Sequence, residues 1–291
     1  EGANGVVVAG KGVEGDANDL KLKFVIERVP EGCPVFIYGA GGSDANSTGK
    51  LMAIADGRNV PLAAGSTIPV TWRLPELQIE PGAKVKRALA VVHGDFPSAE
   101  YFGLEATLPI TETRAVDVLK REVGAEIRRR EKRWMFTGLE TWDIREDIEL
   151  MMKRDNWGGL LAAALSRSNS PQGKSVEDGR TQDLSSLSAF FELGKDLRMA
   201  RIVEIDGYQS MIVVANGVVE DFTLAVEYAD GKMASTQIYR PPGPARNDFD
   251  RLAETIEDLF ETGKAPWSFV RTFQEVSLLG IMRLHESYRK K

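Results

Sequence analysis

Few residues in this chain can do acid–base or nucleophilic chemistry, and their scarcity narrows what it can catalyse. The sequence holds two histidines, His93 and His285, and one cysteine, Cys33. That inventory excludes a disulfide framework, Cys-rich metal sites and most His-dependent triads. His93 stands in Val91-Val92-His93-Gly94-Asp95, at the end of an apolar run and two residues before an acid. It is the candidate general base. His285, beside Glu286, reads as a solvated helix residue, and Cys33, just before Val35-Phe36-Ile37-Tyr38, as a buried structural thiol. Glu105 and Asp221 are carboxylates that a hydrolase or lyase could pair.

Three segments have the composition of ligand loops. Gly10-Lys11-Gly12-Val13-Glu14-Gly15 fits G-x-G-x-x-G between a strand and a helix, the context of a dinucleotide fingerprint. Asp16 and Asp19 then follow where a pyrophosphate needs a positive helix terminus, and the next strand ends in Tyr38-Gly39 rather than an acid for a ribose hydroxyl. Gly39 to Lys50 looks like a phosphate loop, but its glycine spacing and Leu51 after Lys50 do not fit Walker A. Ala64 to Pro75 lies just past a third strand and offers Ser66, Trp72 and Arg73: a hydroxyl, an aromatic face and a guanidinium. Those are materials for a carbohydrate or carboxylate site. The basic run Arg128 to Arg133, interrupted by Glu131, reads as a solvated helix face.

The elements that must position these residues fall into two textures. Gly5–Ala9, Pro34–Tyr38 and Val60–Ala64 are β-branched or apolar runs expected as parallel strands buried on both faces, with helical pieces at Leu20–Val29 and Lys50–Ala55 between them. From Ile68 onward the pattern is α+β. Val85–Gly94 and Ala106–Ile110 read as strand and mixed elements, and Asp117–Arg133, Asp143–Lys153 and Leu160–Leu165 as helices. Ser166–Ser186 reads as a polar loop. Ala200–Asp206, Gln209–Ala215, Phe222–Tyr228 and Ala234–Tyr239 are strands separated by Asp206-Gly207, Asn216-Gly217 and Asp230-Gly231, which predicts an antiparallel meander. Asn247–Thr262 is an amphipathic helix closed by Gly263, and Phe269–Tyr288 a second long helix. The expected fold is therefore α/β plus α+β, a partial Rossmann-like parallel sheet followed by a mostly antiparallel open sheet backed by helices. Domains are expected at 1–67 and 68–291, with the closing helices 247–291 in the second.

Composition sets the setting. Across 291 residues, 37 basic against 43 acidic side chains give a net charge of −6, so no basic field recruits nucleic acid or anionic membrane. No apolar stretch of about 18 residues spans a bilayer and no signal-peptide pattern opens the chain, which predicts a cytoplasmic protein.

Several segments together resemble the Gfo/Idh/MocA oxidoreductases: Val60 to Ser66 running into Pro69-Val70-Thr71-Trp72-Arg73-Leu74-Pro75, Gly103 to Thr107, Trp157 to Ser168, Asn216 to Thr223, and Phe249 to Ala265. The first is similar to the G-S-S-L-P-V-T-W-R-R-P crossing of a bacterial branch of that family. The resemblance implies NAD or NADP as cofactor, sugars or cyclitols as substrates, and a homo-oligomer formed through the second-domain sheet. Substrate contacts are expected from Ser66, Trp72, Arg73, Trp157 and Asn216; His93, Glu105 or Lys50 would have to stand in for the proton acceptor that the chain lacks, and no metal is expected. Any cofactor contact in the chain would come from Gly10, Lys11 and Gly12. The resemblance also makes Gly5–Ala9 similar to the fourth Rossmann strand, so that the first βαβ unit would precede residue 1. Two departures stand out. Tyr38 to Gly41 has no lysine where the family's Glu-Lys-Pro motif falls, and Phe102 replaces a histidine before Gly103-Leu104-Glu105. These departures leave a non-catalytic sugar-binding or scaffolding descendant as the alternative.

Overall fold

A computed structural model describes residues 5–9, 16–114, 136–170, 190–192, 194, 196–241 and 247–289. The fingerprint-like Gly10, Lys11 and Gly12, the helix expected at Asp117–Arg133 with its basic run, and most of the loop expected at Ser166–Ser186 lie outside the described residues. The chain divides into two compact units, Glu1–Thr71 with Arg240–Lys291, and Trp72–Tyr239.

The first unit is built on three parallel strands in the order β1 (Val6–Ala9), β2 (Val35–Tyr38), β3 (Leu62–Gly65). Helices α1 (Asp16–Arg28) and α2 (Ala45–Gly57) cross between them. Strand alternation sorts the apolar residues to two faces. Val35, Ile37, Leu62 and Ala64 pack with Leu22, Ile26, Leu51, Ala55 and Phe269. Phe36 and Ala63 point the other way, onto Leu252, Leu259 and Trp267. β2 and β3 are thus buried on both faces, as their unbroken apolar runs require. β1 departs from that expectation: it pairs only with β2 among the described strands, and Val7 is 53% exposed.

The closing helices, α6 (Phe249–Thr262) and α7 (Phe269–Arg289), belong to this unit and not to the second, contrary to the sequence expectation. Their anchors explain why. Leu252 and Leu259 of α6 and Phe269 of α7 supply cover that β2 and β3 need. Trp267 Nε1 also donates to the Ala64 carbonyl at 2.8 Å. Gly263 ends α6 at φ 66, where its N–H reaches the Leu259 carbonyl.

The second unit is a seven-stranded, mostly antiparallel sheet. Its strands are β4 (Trp72–Leu74), β5 (Val85–Val92), β6 (Phe136–Trp142), β7 (Leu197–Glu204), β8 (Gln209–Ala215), β9 (Phe222–Tyr228) and β10 (Met233–Tyr239), in spatial order β4-β10-β9-β5-β8-β7-β6. The predicted meander is corrected here. β7–β8 and β9–β10 are hairpins, but β5 lies between β8 and β9 and runs parallel to β8. Residues 216–221 therefore cross over β5 instead of making a tight turn, and Val218 and Val219 are buried in that passage.

Helices cover both faces of this sheet. Leu89, Val91, Met211, Val213 and Ala225 pack under α4 (Arg145–Arg154) and α5 (Gly158–Leu165). On the opposite face lies α3 (Ser98–Thr113), which absorbs the segment Ala106–Ile110 expected as part of a mixed element. Met211 and Ile212, adjacent and on opposite faces, are both fully buried. At β8 the sheet is therefore covered on both faces. Among the described residues, no helix is long and apolar enough to cross a membrane.

Candidate functional site

The carboxyl end of β5 brings together the residues best suited to chemistry. His93 follows the strand directly, half-buried, with its ring 5.2 Å from that of Phe222, the first residue of β9. Phe102 of α3 meets the other side of the cluster, 5.6 Å from Phe222. Tyr101 adjoins Phe102 and donates its hydroxyl to Glu105 Oε1 at 3.0 Å. Glu105 is 1% exposed, one helical turn beyond Tyr101. The His93 imidazole has no hydrogen bond among the described residues, so it is held by aromatic packing and keeps both nitrogens for a ligand.

Strand register extends this face across the sheet. Phe222 pairs with Ile238 and Ile238 with Arg73, so these three side chains stand in one row on the α3 side. Two strand spacings put Arg73 about 10 Å from Phe222 along that row. Crowding by protein strips water from the half-buried Arg73 guanidinium and lowers its pKa to about 10. Trp72, its neighbour in β4, pairs with Tyr239 and faces the opposite side. The sequence had joined Trp72 and Arg73 in one site, but strand alternation separates them.

The other expected contacts fall elsewhere. Trp157 is a correction: it is fully buried in the core under α4 and α5, with the Arg87 guanidinium 4.7 Å over its ring. Asn216 turns both ends of its amide onto Gly94, accepting from Gly94 N at 2.8 Å and donating to Gly94 O at 3.2 Å. Ser66, in the first unit, is buried and accepts from Ile68 N at 3.1 Å in the turn after β3. The paired carboxylates are also corrected. Asp221 accepts from Ser168 Oγ, Asn169 N and Gln237 Nε2 at 2.6 to 2.7 Å on the α5 side of the sheet, while Glu105 lies on α3, against the other side. They form no dyad.

Sequence reasoning missed Phe222 and Tyr101 as site residues, and saw Phe102 only as a missing histidine. A Phe at the start of a strand carries no signal of its own; what selects it is the β5 insertion, which sequence order hides.

Whether the first unit fits a nicotinamide dinucleotide can be tested at α2, whose N-terminus follows the glycine loop Gly39–Ser43. Its donors are already taken by carboxylates. Asp44 accepts from Ser47 N at 2.7 Å, and Asp19 accepts from Ser43 N at 2.9 Å and from the Ser43 hydroxyl. The loop is also packed solid: a Cβ on Gly41 would sit 2.6 Å from Thr272 Cγ2, and one on Gly42 2.4 Å from Thr48 Oγ1. A pyrophosphate would meet two carboxylates and no open cradle. At the α2 N-terminus the described residues do not fit a pyrophosphate.

No family model matches the chain, and no curated protein matches it in sequence. Its fold matches solved structures. GenD2 from gentamicin A biosynthesis, crystallised in complex with NAD, is 13% identical with a TM-score of 0.50, over 95% of this chain and 74% of that one. Myo-inositol dehydrogenase from Lactobacillus casei, in complex with NAD(H) and myo-inositol, is 9% identical with a TM-score of 0.51, over 95% and 73%. A Gfo/Idh/MocA family oxidoreductase from Vibrio cholerae is 11% identical with a TM-score of 0.50, over 99% and 80%. The chain therefore shares the fold of these solved proteins, and at these identities the likeness is one of fold.

Proposed function

We propose that the chain supplies the substrate side of a nicotinamide-dependent sugar or cyclitol oxidoreductase, with the polyol lying against the half-buried His93 and Phe102 and His93 exchanging the carbinol proton. The observation that carries this is the His93 imidazole seated on Phe222 beside Phe102, with no polar partner among the described residues. Aromatic rings suit the C–H face of a sugar ring, and an imidazole beside them suits its hydroxyl. The fold supports the reading, since solved proteins that share it include the inositol dehydrogenase above. Neutral His93 would accept the hydroxyl proton, and Arg73 would hold a polar substituent further along the row. Glu105, buried and bonded to Tyr101, shapes α3 and is not the base. NAD or NADP would supply the hydride acceptor, and the described residues at the α2 N-terminus do not fit its pyrophosphate.

A second reading, a sugar-binding protein without turnover, is favoured by the closed Gly39–Asp44 loop and by the absence of lysine from Tyr38 to Gly41. One experiment separates the two. A panel of sugars and cyclitols is titrated by calorimetry, with and without NAD(H) and NADP(H), while nicotinamide absorbance is followed. Cofactor reduction that disappears in His93→Gln supports oxidoreduction. Polyol binding without cofactor binding supports the second reading, and no polyol binding at all refutes both.

A further inference from the structure

We infer that Asn216 and Arg198 are positioning residues for His93, acting through Gly94; this rests on the reading of His93 as the proton-exchanging group. Gly94 is bonded directly to His93 and sits at φ 126, a conformation that side chains rarely adopt. Its peptide groups are held from two other strands. Asn216, just past β8, takes the Gly94 N–H and returns a donor to the Gly94 carbonyl. Arg198 of β7 adds a second donor to that carbonyl, Nη2 at 3.0 Å.

Arg198 is itself fixed on two sides. Its Nε donates to Glu100 Oε1 at 2.8 Å in the first turn of α3, and its Nη1 to Asp196 Oδ2 at 2.5 Å. Asn216 Nδ2 also approaches Asp196 Oδ2 at 3.4 Å. The guanidinium thus ties three things to one peptide: the exit of β5, the start of α3 and the β7 edge of the turn. Glu100 stands one residue before Tyr101 and two before Phe102, so the same clamp sets the helix that brings Phe102 to Phe222.

The arrangement is unusual for mere structural support. Three hydrogen bonds, two with Asn216 and one from Arg198, converge on a single glycine that joins His93 to Asp95. A Cβ at Gly94 would meet only Ala99 Cβ, at 3.7 Å, so space does not demand the glycine. The backbone conformation does, and that conformation determines where the His93 ring leaves the strand. Asn216, which the sequence suggested as a substrate contact, spends its amide on this task.

The test uses the whole chain and a signal that does not depend on turnover. With only two histidines, His93 and the exposed His285, imidazole C–H resonances resolve each ring. Asn216→Ala and Arg198→Gln are expected to move and broaden the His93 resonances while His285 stays in place. They should also weaken polyol binding about tenfold, the effect of a misplaced contact, and Arg198→Lys should restore part of both. Gly94→Ala should shift His93 without removing either clamp. Unchanged His93 resonances in Asn216→Ala and Arg198→Gln, in protein that remains folded by circular dichroism, would overturn the inference. Shifted His93 resonances in a protein that binds no polyol would leave the positioning intact and refute the proposed function instead.

Discussion

Gly103 is where α3 comes closest to the sheet, and replacing it tests whether that closeness sets the site. A Cβ built there lies 2.4 Å from Ile212 Cγ2 and 2.9 Å from Ile212 Cγ1. Ordinary contact begins near 3.4 Å, so Gly103→Ala is about 1 Å too tight against two branches of a fully buried β8 residue. Overpacking of this kind costs ~1–3 kcal/mol. Against it stands a helix-propensity gain of ~1 kcal/mol for Ala over Gly. The expected net effect is a loss of ~1 kcal/mol, with α3 displaced and Phe102 moved off Phe222. Ile212→Ala alone should cost ~2–5 kcal/mol by leaving a cavity. Combined, the two changes relieve each other: the new methyl enters the space that Ile212 vacates, and the pair should be more stable than the sum of the singles by ~1–2 kcal/mol. Hydrogen exchange of α3 and β8 amides, read by mass spectrometry, reports these energies locally without assuming that both units unfold together. Additivity within about 0.5 kcal/mol, or a stabilised Gly103→Ala, would refute the close-approach argument.

Two further outcomes concern the second unit's charged supports. Arg87 donates to Glu227 Oε2 and to the Asp155 and Asn156 carbonyls while covering Trp157, so Arg87→Met should cost ~3 kcal/mol, the lower end for a broken buried pair because Lys86 still holds Glu227 at 2.9 Å; a urea midpoint unchanged from wild type would contradict this. Asp155 is held at about 2, chiefly by hydrogen bonds from Arg154 and then Arg201, and although burial pushes Glu227 up, its hydrogen bonds to Lys86 and Arg87 leave it below its usual value. Folded values below the unfolded ones mean stability present above about pH 4 and lost as pH falls towards 2, so Arg201→Met should flatten the acid limb of a thermal-melting profile.

How much of the fold could be read from sequence depended on whether burial showed in local pattern. β2 and β3 were legible because strands covered on both faces need unbroken apolar runs, and Val35 to Tyr38 and Leu62 to Gly65 have them. β1 has the same composition, Val-Val-Val-Ala, and yet leaves Val7 exposed at an edge, because composition does not say on which side a neighbour stands. The hairpins β7–β8 and β9–β10 followed from their Asp-Gly turns. The same signal at Asn216-Gly217 misled, since a dipeptide that permits a tight turn does not require one. There the passage to β9 is decided by β5, more than 100 residues upstream, and by burial of Val218 and Val219 on the way.

The site divides along the same physical line. His93 stood out because imidazoles are scarce, a property of the sequence itself. Its surroundings did not, since every group that fixes it comes from elsewhere in the chain: Phe222 from β9, Phe102 from α3, Asn216 and Arg198 from β8 and β7. The family resemblance alone put Trp157 among the substrate contacts. Burial gave it the opposite role, with the guanidinium of Arg87 on its face and the carbonyls at the end of α4 held by the same cation. Arg73 was read as a candidate substrate contact, and its neighbours on the face are fixed by register: two pairings, Arg73 with Ile238 and Ile238 with Phe222, carry it to the row against which His93 packs. Pairing register, which no local window contains, therefore decides that Arg73 and not Trp72 shares a surface with the imidazole.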